Sequence, residues 1–165
     1  MATPDFITAL REDIGHKELL LPSVRAAVIR RRDADGSALD APEVLLVRRS
    51  DNGAWMITSG ILDPGEEPAA GAVREVHEET GTVVRPVRIA GVAATRLIEY
   101  PNGDRCRYVD TVFEMEWMSG EPLVNDDEST DVGWFPVDGL PEPLSPGHRE
   151  SLEWALDAGA AAKWR

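Results

Sequence analysis

Two hydrophobic periods share this chain. Apolar residues recur every three to four positions near the start, in the middle and near the end, and runs rich in Val, Ile and Leu lie between. Phe6, Leu10 and Ile14 predict a short opening helix, with Thr3 as its cap, Pro4 in the first turn and Gly15 at the end. Residues 23–31 and 43–49 read as strands, as do residues 55–58. Residues 33–40 read as a plain loop: the Asp spacing is that of a calcium loop only in part, because the closing Glu and flanking helices are missing. A helix is predicted over residues 68–80, from Pro68 in its first turn to Gly81 just past its end, with Ala69, Ala72, Val73 and Val76 as its buried stripe. Residues 83–99 are mostly strand, 101–104 a turn, 105–117 a partner strand and 132–136 a last strand. Ser145 and Pro146 open a final helix whose apolar face is Leu152, Ala155 and Leu156. This pattern predicts an α/β fold, a mixed sheet covered by helices on both sides.

A length of 165 residues favours a single domain over 1–165, with residues 1–21 as an N-terminal helical extension. That helix has an apolar edge able to cap the core or to pair with a second subunit, so a homodimer is one expectation. A net charge of −13 argues against nucleic acid or an anionic membrane as the main partner. Cys106 is the sole cysteine, which excludes a disulfide within the chain and fits a reducing compartment. The first residues lack a basic start and a long apolar run, so the expected location is cytoplasmic.

The chemistry concentrates in residues 60–81. Glu75, Glu78 and Glu79 stand at i, i+3 and i+4, which places three carboxylates on one surface of the predicted helix. Like charges that close repel and raise each other's pKa. A hard divalent cation relieves the repulsion, and carboxylate oxygens suit Mg²⁺ or Mn²⁺. A solvated helix face shows the same spacing, so the three glutamates alone decide nothing.

The surrounding residues add register. Gly60, Glu66, Arg74, Glu75, Val76, Glu78, Glu79 and Gly81 together resemble the signature of the Nudix hydrolases. Thr82 stands where the family has an apolar residue, and Thr58-Ser59 where it usually has Pro-Gly. The flanks agree over residues 22–160, notably Val44 to Arg49, Trp55, and Gly133-Trp-Phe-Pro. The resemblance implies a Nudix-type α/β/α sandwich and a hydrolase acting on a nucleoside diphosphate linked to another group. It also implies site residues. Glu78 and Glu79 are the main metal ligands, Glu75 is a further ligand or helps activate water, and Gly60 lends its backbone carbonyl. Arg74 orients a neighbouring carboxylate, and Glu66 is either an outer ligand or part of the helix start. Glu128, in the acidic loop before the last strand, is the expected additional carboxylate, with Asp127 as fallback. Arg49 is the expected phosphate contact, with Arg25, Arg96 and Arg107 behind it.

His16, His77 and His148 show no ligand spacing, and His77, pointing away from the carboxylate face, reads as non-catalytic. Trp55, Trp117 and Trp134 read as core, while Tyr100 and Phe113 are open to stacking on a base. The resulting expectation is a Mg²⁺-dependent nucleotide pyrophosphatase, with a nucleoside triphosphate preferred and ADP-ribose second. The alternatives are a catalytically silent nucleotide sensor of the same fold and an RNA 5′-end pyrophosphohydrolase.

Overall fold

The structure is a computed structural model that describes residues 4–165. Its elements run α1 (Asp5–Ile14), β1 (Leu19–Arg32), β2 (Ala38–Arg49), β3 (Trp55–Met56), β4 (Thr58–Ile61), α2 (Pro68–Thr80), β5 (Val83–Ala94), β6 (Ile98–Glu99), β7 (Arg105–Ser119), β8 (Ser129–Pro136), α3 (Pro146–Leu156) and β9 (Lys163–Trp164). Thr3, the expected cap of α1, lies outside the described residues.

β1 organises the sheet. One end pairs antiparallel with β4 and the other with β2, and along its second edge it runs parallel to β7. β7 continues antiparallel to β5, and β2 also carries β3 and β8. The nine strands of the described residues form one mixed sheet. The period of two along β1 then sorts the core into two layers. Ala27 and Ile29 face one side, with Val44, Leu46 and, from α3, Leu152 and Ala155. Val24, Ala26 and Val28 face the other, with Met115 and, from α2, Ala72 and Val76. This is the α/β/α sandwich expected from the sequence.

Several local expectations need correction. The turn after β1 covers only residues 33–37, because the Asp33 and Asp35 carboxylates accept from the Ala34 and Ser37 N–H groups and turn the chain at once. Residues 55–58 split into two strands, since Trp55 and Met56 pair with β2 while Thr58 onward pairs with β1. Residues 83–99 are mostly strand as expected, with a break between Ala94 and Ile98, but the strand expected over residues 132–136 starts earlier, at Ser129, and is followed after α3 by a further one, β9. In α1 the fully buried residue is Ile7, set among Leu21, Ile61, Cys106 and Tyr108; Phe6 packs beside it, and Leu10 is 37% exposed. Ser145 precedes α3 but makes no side-chain cap bond. Among the described residues no helix is long and apolar enough to cross a membrane.

Candidate active site

α2 presents the acidic cluster. Pro68 starts it, and Gly81, at φ 70°, ends it in the left-handed conformation while its N–H bonds the His77 carbonyl. Ala72 and Val76 bury one face, and this fixes the direction of the glutamates.

Arg74 is the hub of the cluster. Its Nε and Nη2 donate to the two oxygens of Glu66, each at 2.8 Å. Its Nη1 donates to Glu75 Oε1 and Glu78 Oε2, both at 2.9 Å. Glu66 also accepts the Asp63 N–H at 3.1 Å, so it closes the turn before α2 while clamping Arg74. Burial raises the pKa of Glu75 against the opposing pull of Arg74. The Glu75 carboxyl lies over Gly60: a β-carbon there would stand 1.9 Å from the carboxyl carbon. Glu78 is the open member of the group, its side chain 56% exposed.

Glu79 differs from its neighbours. It is 7% exposed, and its Oε2 has no hydrogen-bond partner. Burial first, then the charges of Glu75, Asp126 and Glu128, push its pKa well above the usual carboxylate range, and only the Ser59 backbone N–H opposes them. Ser59 stands where the resembled signature usually has glycine, yet a backbone N–H is all that this contact needs.

Among the described residues no three His, Cys, Asp or Glu side chains form a ready cation cage. The reason is local: Arg74 draws Glu75 and Glu78 to itself, while Glu79 is buried against Ser59. The donor set nonetheless fits a hard divalent cation. The orphaned, buried Glu79 oxygen and the Gly60 backbone beneath Glu75 are oxygen-lined ground where positive charge relieves an existing repulsion.

The acidic loop closes the other wall. Leu123 N–H bonds the Thr80 carbonyl at 3.1 Å, Asn125 N–H the Glu79 carbonyl at 3.3 Å, and Asn125 Nδ2 the Glu78 carbonyl at 3.0 Å. The loop is thereby stapled to the carbonyl end of α2, and Glu128 joins Glu79, Ser59, Met56 and Arg49 around one narrow cleft. Asp127, the fallback, is exposed, whereas Asp126, not singled out from the sequence, acts on Glu79.

The cleft opens into a pocket of about 350 Å³, and Arg49, Met56 and Ser59 line both. Arg49 is held by Asp51 through bonds of 2.7 and 2.5 Å. Arg25 lies on the pocket wall in a buried ion pair with Asp110 at 2.6 Å. Arg96 is exposed, and Arg107 bonds Glu18 on the surface, so neither reaches this pocket. Tyr100 lines the pocket, whereas Phe113 is core. Trp55 is core too; Trp117 and Trp134 pack edge to face beneath Arg30, away from the pocket. His16 pairs with Asp104 and His77 is exposed. His148, which carries no ligand spacing in the sequence, lines the pocket. No sequence signal marks Arg25, Asp110 or His148 as neighbours, because β1, β7 and α3 bring them together.

A sequence model of the NUDIX domain matches residues 21–155. A MutT-like protein of Streptomyces ambofaciens is 36% identical over 114 residues, covering 69% of this chain and 68% of that protein. An NAD-capped RNA hydrolase NudC of Pseudomonas entomophila is 32% identical over 73% of this chain, which spans only 41% of that longer protein. Among solved structures, an ADP-ribose pyrophosphatase of Streptococcus suis superposes with a TM-score of 0.62 at 24% identity, over 88% of this chain and 98% of that one, a likeness of fold. Signature, sandwich and family match agree, and the chain belongs to the Nudix hydrolase family.

Proposed function

We propose that this chain is a Mg²⁺- or Mn²⁺-dependent pyrophosphohydrolase that cleaves a phosphoanhydride in a nucleoside diphosphate derivative, a nucleoside triphosphate first and ADP-ribose second. One observation carries the reading: the acidic cleft and the 350 Å³ pocket are continuous through Arg49, Met56 and Ser59. A diphosphate in the cleft therefore places its attached nucleoside in the pocket, whose size falls in the range of small-molecule sites.

Glu75, Glu78, Glu79 and the Gly60 carbonyl would hold the cation. When bound, it neutralises phosphate charge and lowers the pKa of water. The chain's own residues do the rest. Arg74 fixes the rotamers of Glu75 and Glu78, and Glu66 fixes Arg74. Arg49, at the junction, is the phosphate contact. Glu128 faces Glu79 across the cleft, placed to accept the proton that water loses as its oxygen bonds phosphorus and the bridging P–O bond breaks.

The likeness to an RNA hydrolase favours a second reading, cleavage at an RNA end, but the net charge of −13 argues against a nucleic acid as the main partner. A silent sensor would not need all three α2 carboxylates. The test is a panel of nucleoside triphosphates, nucleotide sugars, ADP-ribose and dinucleoside polyphosphates with products resolved by chromatography. EDTA is expected to abolish turnover and added Mg²⁺ to restore it. Binding without hydrolysis, indifferent to both, would establish the sensor instead.

A further inference from the structure

Six buried side-chain polar atoms lack a hydrogen-bond partner among the described residues, and three of them belong to the continuous cleft and pocket: Glu79 Oε2, Asp110 Oδ2 and His148 Nδ1. The Glu79 oxygen belongs to the catalytic cluster. The other two belong to residues lining the pocket beyond it, where a substrate's nucleoside would rest; Asp110 Oδ2 has only the Arg25 ion pair and His148 Nδ1 has no partner, and such an atom calls for one.

We propose that Asp110 and His148 are the specificity-determining residues of this pocket, each offering an acceptor to a hydrogen-bond donor on the nucleoside attached to the diphosphate. The inference rests on the pyrophosphohydrolase reading above.

The geometry is prebuilt. Asp110 has a side chain only 5% exposed; Ser23 Oγ donates to its Oδ1 at 2.6 Å, which pins the carboxylate, while Oδ2 lies 2.6 Å from Arg25 Nη2 in the ion pair and keeps a second lone pair. Arg25 also donates to the Gly147 carbonyl at 2.7 Å and to Ser151 at 3.1 Å, so one guanidinium ties β1 to β7 and to the first turn of α3, where His148 sits. Burial, then the charges of Arg25 and Arg49, lower the His148 pKa to about 3, so the ring is neutral. Its contact with the Ile57 backbone favours the protonated ring and so runs from ring N–H to carbonyl. With Nδ1 unpartnered, that donor is Nε2, and Nδ1 keeps its lone pair. A carboxylate and a neutral imidazole nitrogen are thus the acceptors of two residues that line one pocket. A substrate with donors is stabilised there, and one without them leaves the His148 nitrogen unpaired and the Asp110 oxygen with Arg25 alone. Two parts of a nucleoside carry such donors, the ribose hydroxyls and the amine edge of a purine.

The experiment compares kcat/KM within pairs that differ by one donor. One arm sets ribonucleoside triphosphates against their 2′-deoxy and 3′-deoxy forms; the other sets GTP against ITP and ATP against purine riboside triphosphate. The expected result is a loss of at least about tenfold for the donor-lacking member in one arm, which also identifies the part being read. In Asp110→Asn and His148→Phe that ratio is expected to shrink to about threefold or less. General damage would lower both members alike and leave the ratio intact. His148→Phe carries the comparison should Asp110→Asn fail to fold. Wild-type protein that shows no preference in either arm, or a preference that survives the substitutions, overturns the proposal while the pyrophosphohydrolase reading stands. No hydrolysis of any nucleotide removes that reading and this one with it.

Discussion

Glu79 combines a carboxylate with nearly complete burial, and this makes it the most informative residue to change. Its pKa is raised in the fold, so its charged form is penalised there. For an acid shifted upward, the associated stability is fully present below the unfolded value, about 4.3, and declines as pH rises toward the folded value. Metal-free Glu79→Gln is therefore expected to melt above wild type at neutral pH, with the gap closing near pH 4. Its hydrolysis is expected to fall at least about a hundredfold. Scanning calorimetry in EDTA and a Mg²⁺-loaded assay read the two effects separately. Gly60→Ala makes a complementary case. The new methyl meets only the tip of the Glu75 side chain, which can swing away, so stability should change by no more than about 1 kcal/mol. Glu75 then leaves its place over the Gly60 backbone, and kcat should drop about tenfold or more.

At the level of elements, the bonds of Leu123 and Asn125 to α2 link the two carboxylate walls. Asn125 supplies both a backbone and a side-chain bond to the last carbonyls of the helix. Asn125→Ala should cost about 1 kcal/mol and slow turnover more than it weakens substrate binding, because the loop that carries Glu128 loses one of its ties to α2. A split between kcat and KM would show this, and an unchanged kcat would separate the loop from catalysis. The helix itself was legible from sequence: Pro68, Gly81 and the apolar spacing give its bounds to the residue. The burial of Glu79 was not, since it depends on β4 lying alongside α2. Nor could periodicity reveal that Arg25, Asp110 and His148 share a pocket. Their meeting depends on a parallel pairing between strands far apart in the chain, a relation that leaves no local trace.

For the molecule as a whole, charge sets the approach of substrate. A net charge of −13 with a pI near 4.6 repels polyphosphates before Arg49 or Arg25 can act. Added monovalent salt screens that field, so KM for an anionic nucleotide is expected to fall by about two- to threefold between about 20 and 200 mM at constant Mg²⁺. A KM that rises with salt would mean that local arginines outweigh the global field. The three-layer architecture was open to sequence reading because strand and helix periods alternate, whereas strand order was not.

That order bears on how the polypeptide is made. β1 leaves the ribosome well before its parallel partner, β7, which runs through Ser119. Until then one edge of an apolar strand stays bare, and closing the sheet has to await distant sequence. Nascent chains halted short of residue 119 should accordingly depend on chaperones, and truncations that remove β7 should aggregate rather than persist as smaller folded units.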